Sequence, residues 1–328
     1  MGDISAVITG TGSSLPEKIV TNFDLEKILD TSDEWITTRT GIRERHVATD
    51  SEYMSIFATD SSKKAIEMAG IPPSDIDMII CATVTPDMPI PSTACTIQEN
   101  LKAKKASAFD LSAGCSGFIF ALSIANQYIL SGTHHNILVI GAELLTKYMD
   151  WSDRTTSVIF ADGAGAVILS RGERPRGILA SSLHTDGSMV DFLYVPAGGT
   201  ISPPSQETVN KKMHYIKMKG NETFKIAVRS IEDVSREVIK QAGLMPQDID
   251  WFIPHQANKR IIDAVGTRLN IDQKKIFINI DRIGNTSAAS IPIALDEARR
   301  ANMIKEGDNI LFAAFGAGLT WAAALVKW

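Results

Sequence analysis

Apolar and polar positions run along this chain in a helix–turn–strand rhythm, and the rhythm occurs twice. Residues 66–80 read IEMAGIPPSDIDMII, and residues 239–253 read IKQAGLMPQDIDWFI. In each segment, apolar residues at helical spacing stop at a glycine, a polar turn containing proline follows, and a short apolar run closes the pattern. This predicts an amphipathic helix, a turn and a buried strand. The segments lie 173 residues apart and share Ala, Gly, Pro, Asp-Ile-Asp and the final Ile. The same offset carries Asn136-Ile137-Leu138 onto Asn309-Ile310-Leu311, and Ala121-Leu122 onto Ala294-Leu295. Agreement at one offset predicts a duplicated βα-rich unit. The polar stretch Ser170–Gly177 supplies the break, giving halves 1–172 and 173–328.

Other segments refine this outline. Pro196 to Lys217 is rich in Gly, Pro, Ser and Lys and reads as a long surface loop. Asp162-Gly163-Ala164-Gly165-Ala166 and Phe315-Gly316-Ala317-Gly318 sit between apolar runs and read as close-packed turns or glycine-bearing strands. Gly10-Thr11-Gly12 does not make a dinucleotide fingerprint, because Leu15 stands where the third small residue is needed.

Composition narrows the class. Hydrophobic residues make up 44% and charged residues 22% of 328 positions, enough to bury a large core in one large or two medium domains. A net charge of −5 gives no support to nucleic-acid binding. No signal stretch and no run of 18 apolar residues is present, so a cytoplasmic protein with no membrane segment is expected. Cys81, Cys95 and Cys115 are odd in number and lack metal-site spacing, which suits free thiols and no metal. The adjacent pair His134-His135 reads as solvated turn residues.

One of those cysteines is placed for chemistry. Asp110-Leu111-Ser112-Ala113-Gly114-Cys115-Ser116-Gly117 makes a turn of small residues, and an apolar helical run follows from Phe118. Free N–H groups and the helix dipole at such a start favour thiolate, the nucleophilic form. A buried structural cysteine is the plain alternative. Two more segments supply partners. Trp251-Phe252-Ile253-Pro254-His255 is an apolar strand that ends on an imidazole, and Ile283-Gly284-Asn285-Thr286-Ser287 is a glycine-marked turn before a small-residue helix start. Each is ordinary taken singly, but the repeat puts Cys115 over Ala288, three residues after Asn285. Equivalent turns of two fused halves can meet across their shared axis, so one site built from both halves is the economical reading.

At these residues the chain resembles β-ketoacyl-acyl-carrier-protein synthase III of the thiolase superfamily, essentially end to end. The motifs are AGCSGF around Cys115, HQAN from His255, GNTSAAS around Asn285, Ser32–Ile36 with Arg39–Ile42, Phe160–Ala166, and the terminal FGAGLTW. The resemblance implies an α/β protein with a duplicated five-layered αβαβα fold, two mixed sheets and a homodimer. It implies that Cys115 takes an acyl group from an acyl-CoA. His255 and Asn285 would then stabilise the enolate formed as malonyl-acyl carrier protein loses CO₂. Backbone N–H groups of Cys115, Gly316 and Ala317 would form the oxyanion hole. Many relatives have Gly where Ala317 stands; a backbone donor survives the change, but φ > 0 would strain Ala.

For CoA, the resemblance implies Trp35 and Arg154 sandwiching the adenine, Thr31 and Arg39 nearby, and Gly220 and Asn258 along the pantetheine arm. Lys225, Gln256 and Arg260 would receive the acidic carrier protein. Ile90 stands where relatives carry Phe before the Pro91-Ser92 pair and would reach across the dimer to the floor of the acyl pocket. A smaller side chain there points to primers longer than acetyl. No cofactor is implied, since acyl-CoA is a substrate. The expected reaction is therefore the initiating condensation of type II fatty-acid synthesis. A sister enzyme using another starter or acceptor for a polyketide or signal molecule remains open, as does a non-catalytic dimeric scaffold, which the intact Cys115, His255 and Asn285 oppose.

Overall fold

A computed structural model of the protein describes residues 4–328, apart from the side chains of residues 221–223. Its first sheet has the strand order Ile4–Ser14, Asp162–Glu173, Asn136–Leu144, Met78–Ala82, Ser107–Leu111. The first two pairings are antiparallel and the last two parallel. The second sheet runs Gly177–Thr185, Thr320–Lys327, Asn309–Gly316, Trp251–Pro254, with two antiparallel pairings and then a parallel one. Where the first sheet has its fifth strand, the second has a single parallel bridge from Phe252 to Ile276. Register repeats with order: Met78 faces Ile137 in one sheet, and Trp251 faces Ile310 in the other.

Three layers of helices enclose the two sheets. Met54–Ala69 and Thr93–Leu101 cover the outer face of the first sheet, where Phe57, Ile66 and Ile97 pack on Ile79, Leu138 and Ile168. Gly220–Gln241 and Lys259–Leu269 cover the outer face of the second, with Val234, Val238 and Ile262 on Phe252, Leu311 and Leu325. Between the sheets lie Gly117–Leu130 and Ser290–Arg300. Here Phe118, Leu122, Ile291 and Leu295 meet Ile80 and Val139 from one side and Ile253 and Phe312 from the other. Strand residues alternate between faces, and both faces are covered, so these strands read as unbroken apolar runs. The helix Gly117–Leu130 is apolar around most of its circumference for the same reason. The five layers are those that the family resemblance implied.

Details follow the repeat closely. Short 3₁₀ turns occur at Pro73–Asp75 and Pro246–Asp248, and again at Gly114–Ser116 and Ser287–Ala289. Gly10 and Gly12 lie inside the first strand rather than in a phosphate-binding loop. The stretch from Pro196 to Lys217 is mostly irregular but holds one helical turn, Gln206–Asn210, closed by a capping box from Ser205 and Thr208. Among the described residues, no helix is long and apolar enough to cross a membrane.

Candidate active site

Cys115 sits in the turn that joins the strand Ser107–Leu111 to the central helix Gly117–Leu130. The turn begins at Gly114, whose φ of +56° belongs to the left-handed region. A Cβ there would also come within 2.9 Å of the Ala317 nitrogen, so only glycine fits. This close approach sets the end of the strand Asn309–Gly316 against the Cys115 turn, where the Ala317 N–H favours the charged form of the thiol. Ala317 is not among the positive-φ residues; that conformation falls on Gly318, at +136°. The Gly-to-Ala change therefore carries no backbone strain.

The state of the thiol differs from the expectation of a resting thiolate. Cys115 is 7% exposed, and burial pushes its pKa up to about 11; the nearby Glu143 carboxylate adds to the rise, and the Ser287 hydroxyl and the Ala317 N–H oppose it only partly. Desolvation outweighs the donors and the helix start. Cys81 is buried and also held as the thiol, whereas Cys95 is exposed.

His255 follows the edge strand Trp251–Pro254 of the second sheet and is held by its own N–H on the Ala313 carbonyl at 2.8 Å. Its Nδ1 lies 2.7 Å from the Ser290 hydroxyl, whose oxygen accepts from the Gln256 N–H at 3.3 Å. Burial lowers the imidazole pKa to about 3, so the ring is neutral near pH 7. Asn285 follows Gly284, where φ is +75° and a Cβ would meet Ala161 at 2.9 Å. The Asn285 Oδ1 accepts from the Ser287 N–H at 2.9 Å. That bond fixes which end of the amide is which and leaves the NH₂ as the donor end.

Two buried residues given no role by the sequence reading touch this group, Ser287 from within the GNTSAAS motif and Glu143 from outside any motif. The Ser287 hydroxyl lies 3.4 Å from the Cys115 sulfur and 3.2 Å from Oε1 of Glu143. Ser287 adopts φ +50°, unusual for a residue with a side chain, at the position equivalent to Gly114. Glu143 is fully buried, and desolvation raises its carboxyl pKa to about 7 despite hydrogen bonds from Thr85, Val84, Ser287 and Thr83. A lone Glu in an apolar run was the available signal, and its meaning depends on contacts across 144 residues of chain.

A cavity of about 740 Å³ brings together Cys115, His255 and Asn285 with Trp35, Arg39, Arg154, Gly220, Lys225, Asn258 and Arg260. Arg154 and Arg39 lie 4.8 and 4.9 Å from the Trp35 ring centroid. A base entering between Trp35 and Arg154 must part them. Thr31 is next to Asp30, whose carbonyl accepts from Arg154, and its own hydroxyl is buried without a hydrogen-bond partner. Asn258 caps the helix Lys259–Leu269 and donates to the Arg39 carbonyl at 3.0 Å. Lys225 and Arg260 are exposed at the mouth, with Arg260 over the Phe224 ring. On the other side of Cys115, a second cavity of about 210 Å³ is lined mainly by apolar side chains, among them Val84, Leu145, Tyr148, Leu193 and Ile216, with Thr85 and Ala317.

Two expected positions fall elsewhere. Gln256, assigned to the carrier-protein surface, is 1% exposed. Its amide donates to the Pro254 and Phe277 carbonyls and accepts from the Asn279 N–H, so it braces the loop carrying His255 and offers nothing to a protein partner. Ile90 lines neither cavity of the single chain and is 85% exposed.

A five-layered duplicated fold with Cys, His and Asn converging on one deep cavity defines a condensing acyltransferase of the thiolase-like class. Comparison with known proteins narrows it. The family models "3-Oxoacyl-[acyl-carrier-protein (ACP)] synthase III" and its C-terminal part match residues 109–187 and 239–328. The chain is 58% identical to the beta-ketoacyl-[acyl-carrier-protein] synthase III of Caldanaerobacter subterraneus subsp. tengcongensis, over 99% of this chain and 98% of that one. Among solved structures it is similar to the 3-oxoacyl-[acyl-carrier-protein] synthase III of Aquifex aeolicus VF5, at TM-score 0.92 and 51% identity, covering 98% and 100% of the two chains. It is also similar to the priming β-ketosynthase of the R1128 polyketide pathway, at TM-score 0.92 and 34% identity over 99% and 96%. The chain belongs to the 3-oxoacyl-acyl-carrier-protein synthase III family.

Proposed function

We propose that this protein condenses an acyl-CoA primer with malonyl-acyl carrier protein through an acyl group on Cys115, releasing CO₂ and a 3-oxoacyl-acyl carrier protein that starts type II fatty-acid synthesis. The observation that carries the reading is one cavity running from the Trp35–Arg154 pair to Cys115, His255 and Asn285. CoA enters with its adenine between Trp35 and Arg154, near Thr31 and Arg39, and its arm beside Gly220 and Asn258. The sulfur of Cys115 attacks the thioester carbonyl, and CoA leaves. The N–H groups of Cys115 and the Gly316-Ala317 turn hold the oxyanion. Malonyl-carrier protein then docks on Lys225 and Arg260. His255, neutral at working pH, and the amide of Asn285 hold the thioester oxygen as decarboxylation moves charge onto it. The enolate carbon attacks the acyl group and displaces the Cys115 sulfur. No cofactor enters these steps.

The small apolar cavity beyond Cys115 supports an acyl pocket that takes more than two carbons. Each buried methylene of primer adds about 0.8 kcal/mol until the space is full. Val84, Met88 and Ile90 are exposed within one short segment, a patch that a second subunit covers in the homodimer proposed here. Ile90 of that subunit then reaches the pocket floor. Family membership and the absence of a membrane-crossing helix among the described residues support a cytoplasmic enzyme. The polyketide-priming reading differs only in starter and acceptor, and the similarity to the R1128 priming enzyme keeps it in view.

The test is kcat/KM for acyl-CoAs of increasing length with malonyl-carrier protein, in the wild type and in Ile90→Phe. Turnover with primers longer than acetyl, shifted toward acetyl by Ile90→Phe, is the expected result. No condensation with any primer contradicts the reading, and an unchanged length profile removes Ile90 as the determinant.

A further inference from the structure

The steps above leave one question: where the proton of Cys115 goes. Burial keeps the sulfur as a thiol, so acylation needs an acceptor. His255 is poorly suited: burial keeps its affinity for a proton low, and with Nδ1 taken up by the Ser290 hydroxyl the ring proton sits on Nε2, the donor that the thioester oxygen needs. A different path is built into the site. Glu143 has one oxygen saturated and one not. Its Oε2 accepts from the Thr85 hydroxyl at 2.7 Å, the Val84 N–H at 3.1 Å and the Thr83 hydroxyl at 3.3 Å. Its Oε1 faces the Ser287 hydroxyl, which in turn faces the Cys115 sulfur. The left-handed backbone at Ser287 aims that hydroxyl between the two. Desolvation of Glu143 is opposed by hydrogen bonds from Thr85, Val84, Ser287 and Thr83, and its charge raises the pKa of Cys115, Cys81 and Tyr148.

We propose that Glu143 is the proton acceptor for Cys115 during acylation, reached through the hydroxyl of Ser287. The proposal rests on Cys115 being the acylated residue. As the sulfur forms its bond to the thioester carbon, the S–H proton passes to the Ser287 oxygen, and the Ser287 proton passes to Oε1 of Glu143. The carboxylate becomes a carboxylic acid, and the tetrahedral oxyanion is held by backbone N–H groups. Collapse breaks the bond to the CoA sulfur. That sulfur takes a proton from Ser287, which recovers one from Glu143, leaving CoA as the thiol and Glu143 ionised again. The net change is transfer of the acyl group from one sulfur to the other, with no proton gained or lost. A carboxyl that binds a proton at about pH 7 suits an acceptor that must also give it back.

The experiment is single-turnover acylation by an acyl-CoA, followed by intact-protein mass, in the wild type, Glu143→Gln and Ser287→Ala across a pH series. Both variants should acylate about 10²-fold more slowly at pH 7. The deficit should shrink as pH rises toward the thiol's own value of about 11, where no acceptor is needed. A merely electrostatic role predicts the opposite, because the charge of Glu143 raises the thiol pKa and its removal would speed acylation. Glu143→Gln as fast as the wild type or faster overturns the relay. So does an unimpaired Ser287→Ala, which leaves the buried carboxyl in place should Glu143→Gln fold poorly. A wild type that forms no adduct on Cys115 instead contradicts the proposed function itself.

Discussion

The two halves share sheet order, register and 3₁₀ turns, yet positions 173 residues apart carry opposite kinds of residue. Cys115 corresponds to Ala288, Gly114 to Ser287, Glu143 to Gly316, and Ala82 to His255. In each pair one half supplies a chemical group and the other a small residue, and at Gly114 and Gly316 the missing side chain lets a backbone come close. A Cβ on Gly114 would meet Ala317, and one on Gly316 would lie 2.5 Å from the Cys115 nitrogen. A single site cannot hold two copies of every group, so duplication supplies the scaffold twice and the chemistry once. In the proposed mechanism the first half keeps the nucleophile, and the second keeps the groups that act on the developing charge.

Moving the nucleophile to its counterpart is the harshest way to break this comparison. Ala288 is 1% exposed and lines neither cavity. The double variant Cys115→Ala, Ala288→Cys should lose all acyl-enzyme formation while keeping its circular-dichroism spectrum. An adduct on residue 288 would mean that the halves are chemically interchangeable.

Paired substitutions at the left-handed position come next. Gly114→Ala meets a close backbone contact in addition to the cost of left-handed geometry, about 1–2 kcal/mol. Its melting temperature should fall by several degrees. Ser287→Gly relieves the same geometry, adds chain entropy of about 0.5–1 kcal/mol and should melt close to the wild type. Its acylation should slow, because the hydroxyl between Cys115 and Glu143 is gone. Equal destabilisation of the two variants would show that the turns are strained alike.

Stability against pH separates the buried groups more gently. Glu143 binds a proton at about 7 in the folded state, against an ordinary value of 4.5. Its contribution is full below the lower value and is lost as pH rises through the upper one. Glu143→Gln should therefore gain stability relative to the wild type between pH 5 and pH 8. His255 works the other way. Its folded value is about 3 against 6.5, so the wild type loses stability as pH falls below 6.5, and His255→Ala should lose less. Urea midpoints across the range read both, and parallel curves would contradict the assigned protonation states.

The smallest effects belong to the rim. Lys225→Glu and Arg260→Glu should raise KM for malonyl-carrier protein severalfold, and the wild-type value should rise with salt. Steady-state kinetics at two ionic strengths check this, and a salt-independent KM would place the carrier elsewhere.

The division of labour was readable in the sequence to an uneven degree. The repeated helix–turn–strand segments with their shared Asp-Ile-Asp and the glycine-bracketed turn at Cys115 carried the fold and the candidate nucleophile, because local spacing dictates both. Cys115, His255 and Asn285 could be grouped because the repeat brought their turns together. The thiol's protonation could not be read, since it depends on how completely the closed halves exclude water. The roles of Glu143 and of Ser287, which the GNTSAAS motif contains, could not be read for a related reason: their contacts join residues 144 and 172 positions apart. Gln256 looked like a surface neighbour of His255, but its three backbone bonds turn it inward. The pocket beyond Cys115 is gathered from segments around residues 84, 145, 193 and 216, which share no motif.

The central claim is that the first half holds the acyl group and that His255 and Asn285 of the second act only in the decarboxylating step. Its most direct test is the intact mass of the His255→Ala, Asn285→Ala double variant after mixing with an acyl-CoA, then with malonyl-carrier protein. The account predicts one acyl adduct, mapped to Cys115 and formed as in the wild type, followed by condensation slowed by about 10² or more. A double variant that takes up no acyl group would contradict it.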